Sequence, residues 1–82
     1  MITAKEAREQ ALSFLSQQGL ERDYIENLSI KLDRAEKLIE ICREKKPQNI
    51  LEIGSFVGVS TAVLGLCLPE AQIVCIDVDT YV

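Results

Sequence analysis

Residues 50 to 60 read Ile-Leu-Glu-Ile-Gly-Ser-Phe-Val-Gly-Val-Ser, and this stretch decides the fold. The apolar run before the first glycine is typical of a buried parallel strand, and Gly54 and Gly58 permit a tight turn into a helix. A second apolar run, Ile73-Val74-Cys75-Ile76, follows that helix and ends at Asp77. The order strand, turn, helix, strand predicts an α/β fold with a parallel sheet.

Three helices are predicted ahead of the first strand. Thr3 and Glu6 fit a capping box at the start of a helix that ends before Gly19. A weaker helical segment spans 20–28, and a clearer helix runs from about 31 to 45. The remaining predicted elements are a strand over 49–53, a helix over about 59–68 and a strand over 72–77. We therefore divide the chain into a helical region, 1–46, and the first β-α-β of a Rossmann-like sheet, 47–82.

The apolar pattern also predicts what is buried. The helix over 59–68 is apolar almost all round, so the amino-terminal helices or a partner chain must cover it. The first strand is apolar on both faces, which predicts helices on each side of it. The residues expected to pack in the core are Ala7, Ala11, Phe14, Leu15, Tyr24, Ile25, Leu28, Ala35, Leu38, Ile39, Phe56, Tyr81 and the three cysteines Cys42, Cys67 and Cys75.

Composition excludes several classes of function. The net charge is −4, which argues against nucleic acid as a partner. The chain has no histidine, which removes Cys/His zinc sites and a histidine base. Residues 53–69 are uncharged, but glycines, serines and a proline interrupt them, so we interpret them as turn and helix rather than membrane span. No signal peptide is evident, and the free cysteines favour a cytoplasmic protein.

Charge distribution singles out two acids. All nine basic residues lie in 1–46, whereas 47–82 contains four acids and no base. Glu52 lies within an apolar strand, where a carboxylate without a partner is costly unless it points into a site. Asp77 ends the second strand, where an acid commonly binds ribose hydroxyls. The alternatives are an exposed strand end for Glu52 and a plain surface acid for Asp77.

The turn itself supplies the other candidate residues. Gly54 and Gly58 would let a ligand approach the backbone, although both could simply form a tight turn. Ser55 and Ser60 offer hydroxyl groups beside the free N–H groups of a helix start, which could hold a ligand carboxylate. Helix capping is the alternative role for Ser60.

The glycine turn and the residues around it resemble a known protein family. Leu51 to Ser60 is similar to the first motif of class I S-adenosylmethionine-dependent methyltransferases, and the closest likeness is to the caffeoyl-CoA and catechol type of O-methyltransferase. The likeness covers roughly 31–80. It implies that Glu52, Gly54 and Ser55 line the methionine part of the cofactor, that Ser60 lies near its carboxylate, and that Asp77 binds the ribose. Gly58 belongs to the same turn.

The resemblance implies a longer protein. Family members have a larger sheet, and its later strands carry the small-molecule acceptor pocket and, in one branch, the ligands of a divalent metal. We therefore expect an amino-terminal fragment that is inactive alone. Two other hypotheses stay open. One is an NAD-type dinucleotide-binding fragment, although the turn lacks a third glycine. The other is a non-catalytic module that forms a homo-oligomer, because a two-stranded sheet has unpaired edges.

Overall fold

The computed structural model describes residues 1–77 of the chain. Its elements in chain order are α1 (Ala4–Gln17), α2 (Arg22–Asn27), α3 (Leu32–Lys45), β1 (Asn49–Ile53), α4 (Val59–Cys67) and β2 (Gln72–Ile76). The two strands are parallel, and Asn49 pairs with Gln72 at one end and Ile53 with Ile76 at the other. The predicted mixed α/β character and the parallel pairing are therefore confirmed.

Local signals in the sequence define the helix ends. The capping box of α1 is formed, because the Glu6 N–H donates to the Thr3 hydroxyl and the Thr3 N–H donates to the Glu6 carboxylate. Gly19 follows α1 with a φ of 98°. Lys46 ends α3 in the left-handed conformation, and its N–H donates to the Cys42 carbonyl at 2.7 Å. Pro47 then prevents the helix from continuing.

One apolar cluster holds the helices together. Its largest fully buried side chains are Leu12 of α1, Ile25 of α2, and Val59 and Val63 of α4. Both α1 and α3 contact α4. The amino-terminal helices therefore cover the apolar α4, as the sequence predicts.

Arginine side chains tie the helices to distant backbone. Arg43 of α3 donates to the carbonyl of Ile2 at 2.6 Å and to that of Cys67, at the end of α4, at 3.4 Å. Arg8 of α1 donates to the carbonyl of Ile30 at 2.7 Å. These bonds satisfy carbonyl groups at chain segments and helix ends that have no partner within a helix.

Several residues expected in the core are exposed. Phe14, Tyr24 and Phe56 are each more than half exposed, so the prediction that they pack in the interior is wrong. On α1 the fully buried residues are Ala7, as predicted, and Leu12, which lies between the predicted apolar positions. The prediction for Tyr81 lies outside the described residues.

The sheet is covered on one face only within residues 1–77. Ile50 and Ile73 pack against the core, whereas Leu51, Ile53, Val74 and Ile76 are exposed. We call these four residues the open face. The prediction that helices cover both sides of β1 is therefore wrong for the described part of the chain, because α1, α3 and α4 all lie on the same side as the core.

The three cysteines differ in their surroundings. Cys67 is buried, Cys42 is half-buried and Cys75 is exposed, so the prediction of a core position is wrong for Cys75. Burial raises the pKa of the Cys42 thiol and of the Cys67 thiol. For Cys67, the nearby Arg43 opposes this effect and lowers the pKa in part.

The uncharged stretch 53–69 forms the end of β1, a turn and α4, as predicted. Among residues 1–77, no helix has both the length and the apolar character needed to cross a bilayer.

Candidate functional site

The turn between β1 and α4 is built on positive φ angles. Gly54 has a φ of 82° and Gly58 a φ of 92°, a region that L side chains rarely adopt. The Gly54 N–H continues the parallel ladder by donating to the Ile76 carbonyl at 2.8 Å. The Gly58 N–H closes the turn by donating to the Ser55 carbonyl at 2.8 Å. The backbone alone therefore accounts for both glycines, and it leaves open space where a Cβ atom of residue 58 would lie.

Asp77 binds to this turn. One of its carboxylate oxygens accepts the Phe56 N–H at 2.6 Å and the Ser55 hydroxyl at 3.2 Å. Asp77 is exposed, which agrees with the alternative that it is a surface acid. Its hydrogen bonds nevertheless connect it to the turn. The structure thus brings together three residues of the predicted site, Gly54, Ser55 and Asp77, although they are up to 23 positions apart in the chain.

Phe56 has an unusual backbone conformation. Its φ is 53°, which for a bulky aromatic residue costs free energy and persists only where surrounding contacts hold it. The hydrogen bond from its N–H to Asp77 is one such contact. The acid at the end of β2 therefore helps to fix the shape of the turn after β1.

Glu52 belongs to a second polar cluster on the covered face of the sheet. Its carboxylate is half-buried and accepts a hydrogen bond from the hydroxyl of Thr61 in the first turn of α4. The Cys75 thiol also lies 3.6 Å from the same carboxylate oxygen and 3.5 Å from the Thr61 hydroxyl. The alternative of an exposed strand end is therefore wrong for Glu52. No lysine or arginine pairs with it within the described residues.

Thr61 is a site residue that the sequence analysis missed. It lies nine positions after Glu52, one residue beyond Ser60, and faces the sheet. Glu52 itself could have pointed to Thr61, because a half-buried carboxylate without a basic partner requires a hydroxyl or N–H donor nearby. Thr61 and Ser60 are the hydroxyl residues in the first turn of the helix that covers β1.

Ser60 does not cap the helix. The N-cap of α4 is Gly58, and no side chain of residues 1–77 caps this helix, so the capping alternative for Ser60 is wrong. Ser60 is half-buried in the first helical turn. Because α4 has no side-chain cap, the N–H groups of its first turn are open to a ligand acceptor, and the helix dipole favours negative charge there.

A groove of about 450 Å³ borders the turn on the side of α1. Its apolar lining comes mainly from Ala11, Phe14, Leu15, Val57, Ala62 and Leu66. Exposed Phe14 thus lies beside the turn rather than in the core. The groove places an apolar surface next to the open N–H groups of α4.

The ionisable side chains of the site are acidic. Residues 47–77 contain no lysine or arginine, and the donors that the structure describes for Glu52 and Asp77 are hydroxyl, thiol and N–H groups. Within the described part of the chain, no group of three or more histidine, cysteine, aspartate or glutamate side chains could hold a metal ion. The two carboxylates can accept hydrogen bonds from hydroxyl or ammonium groups of a ligand, and the first-turn N–H groups of α4 can donate to a ligand acceptor.

Comparison of the chain with protein-family models, with curated proteins and with solved structures gave no match.

Proposed function

We propose that this chain carries the S-adenosylmethionine-binding turn of a methyltransferase that acts on a small-molecule hydroxyl group. The observation that carries the proposal is the contact between Asp77 and the turn at Ser55 and Phe56. It brings an acid from the end of one parallel strand to the glycine turn at the end of its neighbour. This edge of an open parallel sheet is where nucleoside ligands bind.

Each site residue has a role that follows from its chemistry. The Asp77 carboxylate would accept the ribose hydroxyls, and the missing Cβ of Gly54 would let the ligand approach the backbone. Glu52, held by Thr61, would accept from the ammonium group of the methionine part. Ser60 and the first N–H groups of α4 would bind its carboxylate. When bound, the cofactor would supply a methyl group on a sulfonium; an acceptor oxygen would attack the methyl carbon in line as the C–S bond breaks, the thioether would leave, and the hydroxyl proton would pass to a base.

Two features favour this ligand over a dinucleotide. A pyrophosphate calls for a third glycine at the helix start, and Val59-Ser60-Thr61 contains none. The acidic residues of 47–77, without any base, would also repel a pyrophosphate. For the 82-residue chain the proposal concerns binding; methyl transfer is proposed for the longer protein in which this region would stand.

The test is a titration of the ¹⁵N-labelled chain with S-adenosylhomocysteine and, separately, with NAD. We expect S-adenosylhomocysteine to shift the amide signals of 54–60 and of Asp77, while NAD leaves them unchanged. Shifts with NAD alone would favour the dinucleotide hypothesis. A folded spectrum that neither ligand changes would contradict the proposal for this chain.

A matched pair of variants identifies the role of Asp77. Asp77→Asn keeps an oxygen that can accept from Phe56 but removes the charge, and we expect it to weaken S-adenosylhomocysteine binding about tenfold, or ~1.4 kcal/mol. Glu70→Gln removes one charge at the opposite end of β2 and serves as the control. Equal affinity of the two variants would show that Asp77 only shapes the turn.

A further inference from the structure

We propose that the open face of the sheet binds the same face of a second copy of this chain. The exposed fractions are 60% for Leu51, 78% for Ile53, 55% for Val74 and 55% for Ile76. Because the strands pair in register, Leu51 lies beside Val74 and Ile53 beside Ile76. The four side chains thus form one contiguous apolar block, which the cofactor proposal does not use.

The block is large for a surface that stays in water. Its exposed fractions correspond to roughly 450 Å² of surface, within the range of about 300–600 Å² for the largest patch on a monomer. Two facing copies would bury at most about 900 Å², which is below the range of about 1,200–2,000 Å² for stable specific interfaces. The area therefore supports a weak, concentration-dependent dimer.

The charge distribution favours a copy of this face as the occupant. None of the four side chains is charged, and a two-fold interface pairs a patch with itself, so apolar surface meets apolar surface. The ends of the face differ: Asn49 and Gln72 lie at one end, and Asp77 follows the other. If the two copies run antiparallel, each Asp77 lies over the uncharged amides of its partner. The acids are then separated by the length of the strands.

Sheet packing supplies a suitable geometry. Two sheets can stack face to face about 10 Å apart with their side chains interdigitated. A two-stranded sheet is more stable when other elements pack against its faces. α4 already covers one face, and the dimer would cover the other.

The test is sedimentation velocity of the full 82-residue chain between about 5 µM and 1 mM. We expect the wild-type chain to change from monomer to dimer over this range. Ile53→Lys places a charge on the most exposed residue of the face and should weaken association at least tenfold. Ile41→Lys is the matched control, because Ile41 is an exposed isoleucine on α3, away from the sheet.

Three outcomes would overturn the proposal. The first is a wild-type chain that is monomeric at every concentration, even if the open face binds another protein or an apolar dye. The second is a dimer that Ile53→Lys leaves unchanged, which would indicate pairing through strand edges or α4. The third is equal weakening by Ile41→Lys and Ile53→Lys. Val74→Lys, at a second position of the face, repeats the test, and circular dichroism verifies that each variant is folded.

Discussion

The two faces of the sheet are made by alternate residues of the same two strands, yet their surroundings are opposite. On the covered face, Ile50 and Ile73 pack into the core beside the cluster of Glu52 and Thr61. The four apolar side chains of the open face are each more than half exposed. The charged Glu52 thus lies on the face where α4 supplies a hydrogen-bond donor, and the open face is uncharged. The difference indicates that α4 both stabilises the sheet and builds the candidate site.

The first prediction, which has the largest expected effect, compares how much each face of the sheet contributes to the free energy of unfolding. Ile73→Ala removes a methyl-rich side chain that packs on the core, and we expect it to lower the free energy of unfolding by about 2 kcal/mol. Ile76→Ala makes the same change three residues later on the open face, and we expect a loss below about 0.5 kcal/mol. Chemical denaturation at low micromolar concentration, where a weak dimer dissociates, measures both. Equal losses would show that the open face is covered in solution.

The second prediction separates the turn from the helix that follows it. Gly58→Ala should destabilise the fold by about 1–2 kcal/mol, because alanine disfavours a φ of 92°. No atom lies near the new Cβ, so backbone strain is the sole cost. Gly65→Ala is the control within α4; its Cβ would meet Ile73 at an ordinary 3.9 Å. There we expect stabilisation of up to about 1 kcal/mol from helix propensity. Destabilisation by Gly65→Ala, or none by Gly58→Ala, would contradict this account.

Most of the fold was predictable from the sequence because each element carries a local signal. The capping box, the glycine after α1 and Pro47 after α3 act within a few residues of their own position, and the structure confirms all three. The apolar runs likewise predict the two strands. Only the bounds differ, as for the second helix, which spans Arg22–Asn27 rather than 20–28.

Exposure was predicted less well because it depends on what other elements cover. In the run 50–53, Leu51 and Ile53 on one face are as apolar as Ile50 on the other, and nothing within the run reveals that their face is the exposed one. On α1, Phe14 and Leu12 are both apolar, and the placement of the other helices decides that Leu12 is buried and Phe14 is exposed. In the site, Asp77 and Glu52 were predictable as unusual acids. Their donors, Phe56 N–H and Thr61, depend on the geometry of the turn and could not be predicted from spacing alone.

The third prediction concerns the polar cluster of the covered face. Thr61→Val keeps the shape of the side chain but removes the donor to the half-buried Glu52 carboxylate. We expect a loss of about 1 kcal/mol in the free energy of unfolding, since a partly solvated carboxylate recovers some hydration. Thr61→Ser keeps the hydroxyl group and should retain a larger part of the stability. If Thr61→Ser lost as much as Thr61→Val, the methyl contact rather than the hydrogen bond would account for the effect.

The smallest expected effect lies in the helical region, far from both faces, and it depends on pH. In the folded chain the Thr3 N–H and hydroxyl lower the pKa of Glu6 below its ordinary value of 4.5. A carboxyl whose pKa is lowered by folding contributes stability above its unfolded pKa, and this contribution is lost as the pH falls through the folded pKa. Glu6→Gln keeps a side chain that can complete the capping box but cannot titrate. Its thermal unfolding temperature should therefore fall less than that of the wild type between pH 6 and about pH 3. An identical fall in both proteins would show that the charge of the Glu6 carboxylate contributes nothing to stability.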